Sequence, residues 1–307
     1  MPTLTAHLSR PARYNRIEVV NVFISPMLLE TAEAPFSDDN YIFEPKIDGH
    51  RAVLSHSNGT TRLFTRHNND CTRQYPELSS GSFNGNVILD GEIACTDPKS
   101  GAIDFESVMT RFQASRSDKI RRLADQLPAN FVAFDILRYN GVDLRSRPLM
   151  ERKAVLDELA LPGAHFGKIP FVDGKGEALF SQIRAKKLEG TVAKRKDSIY
   201  ESRRSNSWLK LINWTYVNVY ITGYRKGDFG WLAGVETKAG GVRPAGIIEY
   251  GVSPTQKMAF YGVCQQIVIG EDAEYVYVQP RIKARVKIRN WTKAGMLRTP
   301  VFVEFLV

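Results

Sequence analysis

The chain has few of the residues that build disulfide frameworks or metal centres. Its 307 residues include three cysteines, Cys71, Cys95 and Cys264, which lie far apart and form no Cys-x-x-Cys pair. The five histidines are equally scattered. These spacings exclude a disulfide-stapled secreted domain and argue against a zinc site of common design. We therefore expect the cysteines to be reduced and structural.

Long hydrophobic runs are also absent. No stretch approaches the roughly 20 apolar residues that a membrane-spanning helix needs. The first seven residues lack the charged and apolar regions of a signal peptide. We also find no basic amphipathic helix of the kind that binds an anionic membrane surface. These absences predict a cytoplasmic protein with no membrane partner, which we expect to be a monomer.

Positive charge, in contrast, is in excess. The chain has 42 Lys and Arg residues against 33 Asp and Glu residues, a formal net charge of +9. Such a balance favours a polyanionic partner, for example nucleic acid. The length and the 43% hydrophobic content suffice for one large domain and a smaller one, each with its own core.

The densest chemistry lies in the nine residues Phe-Glu-Pro-Lys-Ile-Asp-Gly-His-Arg that end at Arg51. Lys46 is a candidate nucleophile, and a lysine amine acts as one only where burial or neighbouring cations keep it neutral. The Asp48-Gly49 pair predicts a sharp turn that would bring the flanking side chains to one small cavity. Arg51 would hold a phosphate there as a planar fork. The alternative is an ordinary hairpin turn with solvated charges, and this segment alone does not decide between them.

Two later strand-like runs each carry a glutamate. Glu92 follows Asp-Gly near the end of residues 87–93, and Glu189 precedes the apolar run that leads to Lys194. An unpaired charge within a strand is costly unless it has a partner. With Asp48, the two glutamates would surround the divalent cation and the ribose of a nucleoside triphosphate. The alternative is that each glutamate faces solvent.

The pattern of elements changes near residue 213. Before it, residues 41–65 predict an antiparallel meander with Lys46 at its entrance. Helical spacing follows at residues 104–113, 117–127, 148–161 and 174–188. After it, five strands are predicted at residues 215–224, 231–237, 245–250, 275–290 and 301–307, with one helix at 254–267 between the third and fourth. This second pattern is typical of an OB-fold barrel, whose open face binds oligonucleotides.

Five short motifs in order carry a family resemblance. They are Lys-Ile-Asp-Gly-His-Arg at 46–51, Leu-Asp-Gly-Glu at 89–92, Phe-Asp-Ile-Leu at 134–137, Glu-Gly-Thr-Val at 189–192 and Trp-Leu-Lys at 208–210. This set resembles the covalent nucleotidyltransferases, and most closely the ATP-dependent DNA ligases, over nearly all of the chain from Pro26 onward. Residues 295–302 also resemble the Leu-Arg-x-Pro-x-Phe ending of many ligase OB domains.

The resemblance implies an α+β chain with two domains. Residues 1–212 would form an adenylation domain of antiparallel sheets and helices, and residues 213–307 an all-β OB-fold barrel. It also implies that Lys46 attacks the α-phosphate of ATP and becomes adenylated, with Asp48 and Lys210 as further catalytic residues. The implied nucleotide contacts are Glu44 at the adenine edge, Phe134 stacked on the base, Arg51 and Arg66 at the ribose or the nick phosphate, Lys194 in the nucleotide site, Lys210 at the α-phosphate and Arg298 at the pyrophosphate. Glu92 and Glu189 would serve the ribose and a metal ion, Mg²⁺ or Mn²⁺.

The activity implied is the sealing of nicks between a 5′-phosphate and a 3′-hydroxyl in double-stranded DNA. Two alternatives remain open: an RNA ligase or RNA-capping guanylyltransferase on the same scaffold, and a noncatalytic nucleic-acid-binding OB protein. We expect neither the long N-terminal domain of large ligases nor the extra modules of NAD-dependent enzymes, and this favours ATP. It departs from many ligases at Ile212, where they carry a second lysine two positions after Lys210.

Overall fold

The computed structural model describes residues 22–97 and 101–306 of the 307. The elements of the first two thirds are, in chain order, β1 (Leu28–Thr31), β2 (Tyr41–Pro45), β3 (His50–Ser57), β4 (Thr60–Thr65), α1 (Pro76–Ser79), β5 (Val87–Cys95), α2 (Phe105–Phe112), α3 (Ser117–Gln126), β6 (Ala129–Tyr139), β7 (Val142–Asp143), α4 (Leu149–Glu158), β8 (Phe166–Lys168), β9 (Val172–Asp173), α5 (Gly176–Ala185), β10 (Gly190–Arg195) and β11 (Arg204–Ile212). The last third contains β12 (Thr215–Arg225), β13 (Trp231–Glu236), β14 (Val242–Ile248), α6 (Pro254–Cys264), β15 (Val268–Glu271), β16 (Tyr275–Ile288) and β17 (Val301–Leu306).

The first domain is built on two sheets. Sheet A has the strand order β1-β11-β10-β2-β9, and only the β1 and β11 pair is parallel. Sheet B has the order β4-β3-β5-β6-β7, with β8 parallel to β6. Helix α5 packs on β10 and β2, whereas α4 packs on β6. The mixed fold that the sequence predicts is confirmed, although strands dominate and helices are few.

The predicted meander is wrong in one respect, because β2 and β3 belong to different sheets. The Asp48-Gly49 segment therefore crosses from sheet A to sheet B and does not close a hairpin. At Gly49 a Cβ atom would lie 2.3 Å from the Ile93 carbonyl oxygen and 2.8 Å from Cγ of Glu92. Only glycine lets the crossing segment lie this close to β5, so Lys46 and Asp48 sit where the two sheets meet.

All four helices predicted before residue 190 are present, each shorter than its predicted range. Helix α2 begins after Asp104, whose side chain accepts a hydrogen bond from the Glu106 N–H at 3.2 Å. This is the capping chemistry that favours aspartate at a helix start.

The last third folds as the predicted OB-type barrel. Its strands follow the order β14-β13-β12-β16-β15, with β17 beside β16 and a bridge from Val301 to Tyr250 beyond β14. Helix α6 starts with a capping box between Ser253 and Gln256 and buries Phe260 against Trp231. The sequence analysis missed β15, because all four of its residues are exposed and no apolar alternation marks it.

Within residues 22–97 and 101–306, no helix combines the length and the apolar character that a bilayer crossing requires. The domain boundary at residues 212 and 213 remains our proposal. Strand β11, which ends sheet A at Ile212, and strand β12, which opens the barrel at Thr215, support it.

Candidate functional site

A cavity of about 650 Å³ gathers most of the residues singled out from the sequence. It is lined from both sheets of the first domain and, on the barrel side, by Arg289. Eight predicted site residues line it: Glu44, Lys46, Arg51, Arg66, Glu92, Phe134, Lys194 and Lys210. The volume is in the range of small-molecule sites, and the lining mixes aromatic, acidic and basic groups. The cavity can therefore accept a nucleotide.

Lys46 is fixed where β2 and β10 meet. Its backbone N–H donates to the Gly190 carbonyl at 2.8 Å, and its Nζ lies 2.9 Å from Oε2 of Glu189. The other oxygen of Glu189 accepts a hydrogen bond from Arg289. The pKa of Glu189 lies above its ordinary value because burial disfavours the charged carboxylate, although Lys46 opposes this. The antiparallel pairing of two strands thus places the candidate nucleophile against a buried acid.

Asp48 and Arg298 form a second link between the domains. Both Asp48 oxygens accept from the Arg298 guanidinium, one of them at 2.8 Å. The guanidinium also lies 3.6 Å from the centre of the Phe105 ring. Lys293 of the barrel reaches Asp104 at 2.5 Å beside it. Asp48 and Arg298 do not line the large cavity themselves; Arg298 lines a smaller one next to it. The contact shows that the barrel is closed over the first domain.

Phe134, Lys194 and Glu44 form one part of the cavity wall. Phe134 lies under two cations, with Lys194 Nζ 4.5 Å and the Arg51 guanidinium 5.3 Å from its ring centre. Glu44 pairs with Lys194 at 2.8 Å and with Lys153, and all three side chains are almost fully buried. Burial lowers the pKa of Lys194 to about 8, although the Glu44 carboxylate opposes it. The structure brings Phe134 and Glu44 to the cavity, and their stacking and edge contacts with adenine remain predictions.

Sequence analysis missed Lys153. It lies in α4 next to Arg152, and both side chains are buried. Arg152 binds Asp135 through two hydrogen bonds of 2.9 and 2.8 Å. Charged residues near a helix start are usually solvated, so nothing in the local pattern distinguishes these two. Their partners are Asp135 on β6 and Glu44 on β2, which only the fold brings to them.

Arg51 has its fork occupied in this structure. It donates to both oxygens of Asp90, at 3.0 and 2.6 Å, and Tyr200 donates to the same carboxylate. Arg66 is exposed and donates to His67 at 2.9 Å. The structure brings both arginines to the cavity, and their contacts with ribose or phosphate remain predictions.

Lys210 and Glu92 complete the set. Lys210 lies opposite Val192 in the pairing of β10 with β11, and burial, followed by the nearby Arg289 charge, lowers its pKa. Glu92 lies opposite Arg51 in the pairing of β3 with β5. Burial raises the pKa of Glu92 to about 7, against the pull of Lys46 and Arg51.

The elevated pKa of Glu92 predicts a pH-dependent cost to stability. The folded protein holds the Glu92 proton up to about pH 7, whereas an ordinary glutamate loses it near 4.5. Ionisation therefore costs stability progressively as pH rises through this window. We expect Glu92→Gln to gain on the order of 1–3 kcal/mol in unfolding free energy, relative to wild type, between pH 4.5 and pH 8. Urea unfolding without nucleotide or metal measures this. Glu158 is exposed, and Glu158→Gln is the control. If the difference in unfolding free energy from wild type were independent of pH for both variants, the prediction would be contradicted.

The acidic residues also bear on the predicted metal ion. Within residues 22–97 and 101–306, no group of three or more His, Cys, Asp or Glu side chains is arranged to hold a cation. Mg²⁺, however, is commonly bound by one or two carboxylates together with substrate phosphates. Glu92 and Glu189 lie close enough that the negative charge of Glu189 helps to raise the pKa of Glu92. They fit a cation that arrives with the nucleotide, and this assignment remains a proposal.

The sequence was compared with protein-family models and with known proteins, and the matches are to DNA ligases. Residues 26–211 match the family model described as the ATP dependent DNA ligase domain. The chain is 38% identical over 287 residues to the SPbeta prophage-derived DNA ligase-like protein LigB of Bacillus subtilis, covering 93% of this chain and 100% of that protein. It is 30% identical over 298 residues to the multifunctional non-homologous end joining DNA repair protein LigD of Mycobacterium tuberculosis. That match covers 90% of this chain but only 37% of LigD.

Solved structures show the same architecture. A mycobacterial DNA ligase D complexed with ATP and MES is 25% identical, with a TM-score of 0.55, and the match covers 92% of this chain and 94% of that one. A Lig E DNA ligase is 18% identical with a TM-score of 0.64, covering 93% of this chain and 100% of that one, and it shows the fold alone. The family predicted from the five motifs is confirmed: the chain belongs to the ATP-dependent DNA ligases.

Proposed function

We propose that this ligase seals nicks between a 5′-phosphate and a 3′-hydroxyl through a lysyl-AMP intermediate at Lys46. The observation that carries the proposal is the position of the Lys46 amine at the junction of two sheets, in a cavity lined by Phe134 and by Arg289 of the barrel. A nucleotide stacked on Phe134 would extend its phosphates past Lys46 toward the barrel. Phosphoryl transfer depends mainly on such alignment and on charge neutralisation.

Nick sealing by this route has three steps, and residues of this chain act in them. In the first, the Lys46 nitrogen bonds to the α-phosphorus, the bond to pyrophosphate breaks and the amine loses a proton. We assign Lys210 to the α-phosphate and Arg298 to the leaving pyrophosphate. In the second, an oxygen of the DNA 5′-phosphate bonds to the AMP phosphorus as the bond to Lys46 breaks. In the third, the 3′-hydroxyl oxygen bonds to the 5′-phosphorus, loses its proton and releases AMP. Glu92 and Glu189 would hold Mg²⁺ or Mn²⁺, which would neutralise phosphate charge.

The setting is part of the same proposal. Nicked double-stranded DNA is the partner, and the net charge of +9 supports it. We infer a cytoplasmic monomer that acts in DNA repair, since the LigD relatives carry non-homologous end joining in their names. The chain spans about a third of their length, so the other activities of those proteins are not extended to it.

One experiment separates this function from its alternatives. Nicked DNA or, in a parallel reaction, nicked RNA is incubated with the protein and either ATP, GTP or NAD, and both sealing and covalent labelling of the protein are followed. We expect ATP alone to support both. Labelling by GTP would favour a capping guanylyltransferase, and sealing of RNA but not DNA an RNA ligase. A protein that no nucleotide labels would support a noncatalytic OB protein.

A basic face on the barrel is a candidate DNA contact. Arg281, Lys283, Arg285 and Lys287 alternate along β16 with residues that face the barrel interior. Arg289, predicted to continue this face, instead follows the strand and binds Glu189 of the first domain. Across β12, Tyr216 pairs with Lys287 and Tyr220 with Lys283, so tyrosines lie beside the lysines. Residues two apart on a strand are separated by roughly 7 Å, close to the spacing of phosphates on one DNA strand. The alternative, a charged surface that prevents aggregation, explains the alternation equally well.

Salt dependence distinguishes these two explanations. Arg281, Lys283 and Lys287 lack carboxylate partners among the described ion pairs, whereas Arg285 pairs with Glu304. Replacing these three with alanine should weaken binding to nicked DNA at low salt and reduce the slope of log K against log salt by about 2 to 3. Fluorescence anisotropy over a salt series measures both. A triple variant at Arg225, Lys226 and Lys257, elsewhere on the barrel, is the control, and an unchanged slope in the first variant would favour the charged-surface explanation.

A further inference from the structure

Arg289 lies within the strand that the sequence predicts at residues 275–290, and the sequence analysis gave it no role in the nucleotide site. It directly follows β16, and its guanidinium crosses the domain boundary to bind Glu189. The other oxygen of that carboxylate holds the Lys46 amine at 2.9 Å. Arg289 also lines the large cavity. A single carboxylate therefore separates the guanidinium from the candidate nucleophile.

The position of Arg289 is well defined by its surroundings. Its backbone N–H donates to the Arg298 carbonyl at 3.1 Å, so the two arginines stand together at the base of one loop. Its guanidinium lies 5.3 Å from the centre of the Trp214 ring. Packing against an aromatic ring limits the orientations of a guanidinium. Arg289 and Arg298 thus reach the first domain from one structural unit, toward Glu189 and Asp48 respectively.

Strand β11 supplies one cation to the cavity, Lys210, and no second one two positions later. Lys210 and residue 212 lie on the same side of β11, because they are two apart on a strand. Residue 212 is Ile212, buried and unable to bind phosphate. The Arg289 charge contributes, after burial, to the lowered pKa of Lys210, so the two cations are close. The side chains of Lys210 and Arg289 line the same cavity, so the barrel supplies a cation there that β11 does not.

We propose that Arg289 binds a nonbridging oxygen of the α-phosphate of ATP during self-adenylation, as the second α-phosphate cation beside Lys210. Its present acceptor, a Glu189 oxygen next to Lys46, marks where a reacting phosphate oxygen would lie, because the α-phosphorus must approach the same amine. A guanidinium fork suits phosphate as well as carboxylate. Since Arg289 belongs to the barrel, the α-phosphate site is complete only while the two domains are closed. This inference rests on the proposed adenylation of Lys46.

Two phosphorothioate analogues test the contact directly. ATPαS exists as two diastereomers, each of which puts sulfur in place of a different nonbridging α-oxygen. The rate of self-adenylation is measured with ATP and with each diastereomer for wild type, Arg289→Ala, Arg289→Lys and Arg225→Ala. Arg225 is the control because it is an ion-paired arginine of the same barrel, bound to Glu249 at 3.0 Å.

We expect Arg289→Ala to slow adenylation with ATP by about 100-fold, the cost of removing one donor to a reacting phosphate oxygen. The ratio of the two diastereomer rates should change by about tenfold, because only one sulfur position disturbs the lost contact. The adenylation rate of Arg289→Lys should fall between those of wild type and Arg289→Ala. This variant supplies the diastereomer ratio if the alanine variant is too slow to measure. Arg225→Ala should match wild type.

Two outcomes would overturn the inference. If Arg289→Ala reacts more slowly but with an unchanged diastereomer ratio, Arg289 only holds the two domains together. If Arg289→Ala adenylates itself at the wild-type rate, Arg289 has no role in this step. The failure of the proposed function is a different result, since wild type itself would then show no labelling with ATP. Sealing of an already adenylated nick by Arg289→Ala checks that the variant is folded and binds DNA.

Discussion

Lys46→Ala is expected to lower covalent AMP labelling of the protein, and sealing of an unmodified nick, to background. The substitution removes the atom that bonds to the α-phosphorus, and no described lysine shares its contact with Glu189. Labelling with radioactive ATP, followed on a denaturing gel, measures the first effect. The loss should be far larger than that caused by removing a charge near the phosphates, because the covalent route itself is eliminated.

The same variant should remain folded. Glu189 keeps its Arg289 partner when the amine is removed, so no buried carboxylate is left unpaired. We expect a melting temperature within a few degrees of wild type. A nick that already carries the adenylate should still be sealed, because that substrate bypasses lysine chemistry. Lys186→Ala, an exposed lysine of the same domain, is the control. AMP labelling that persists in Lys46→Ala would place the nucleophile elsewhere.

Much of the site was predictable because its residues stand beside recognisable strand ends. Lys46, Glu92 and Glu189 each border an apolar run. An ionisable group in such a position is costly unless it has a partner or a function. The structure brings Lys46 and Glu189 into contact through the pairing of β2 with β10. Their partnership follows from strand order, which the local pattern does not contain.

Other features depend on contacts that are distant in the sequence. Gly49 signals a turn in the sequence, but its structural role is the close approach to Ile93 of another strand. Arg289 has the alternation of a strand residue, and only the closed position of the barrel brings it to Glu189, 100 residues earlier. Lys153 is a typical helix residue until the fold buries it beside Glu44. Periodicity predicts which face a residue occupies, whereas packing decides which partner it meets.

Arg298→Ala is expected to lose self-adenylation while retaining the sealing of a nick supplied already adenylated. Arg298 reaches Asp48 only because the barrel is closed over the first domain. Its guanidinium donates to both Asp48 oxygens, and we expect it to bind the pyrophosphate oxygens in the same way during adenylation. Losing this guanidinium should slow labelling by ATP by about 100-fold or more, since charge develops on the leaving group as the bond breaks. The later steps release no pyrophosphate, so they should not require it.

The competing explanation is that Arg298 only holds the two domains together, and Lys293 provides the matched control. Lys293 makes the neighbouring domain contact, with its amine on Asp104 and its backbone N–H donating to Glu106, but it does not reach Asp48. If adhesion between domains were the whole effect, Lys293→Ala would reduce labelling as much as Arg298→Ala. We expect instead a reduction of only a few-fold for Lys293→Ala, with both melting temperatures recorded. Equal loss on ATP and on the adenylated nick in Arg298→Ala would contradict the leaving-group role, because a general loss of folding or DNA binding affects every step alike.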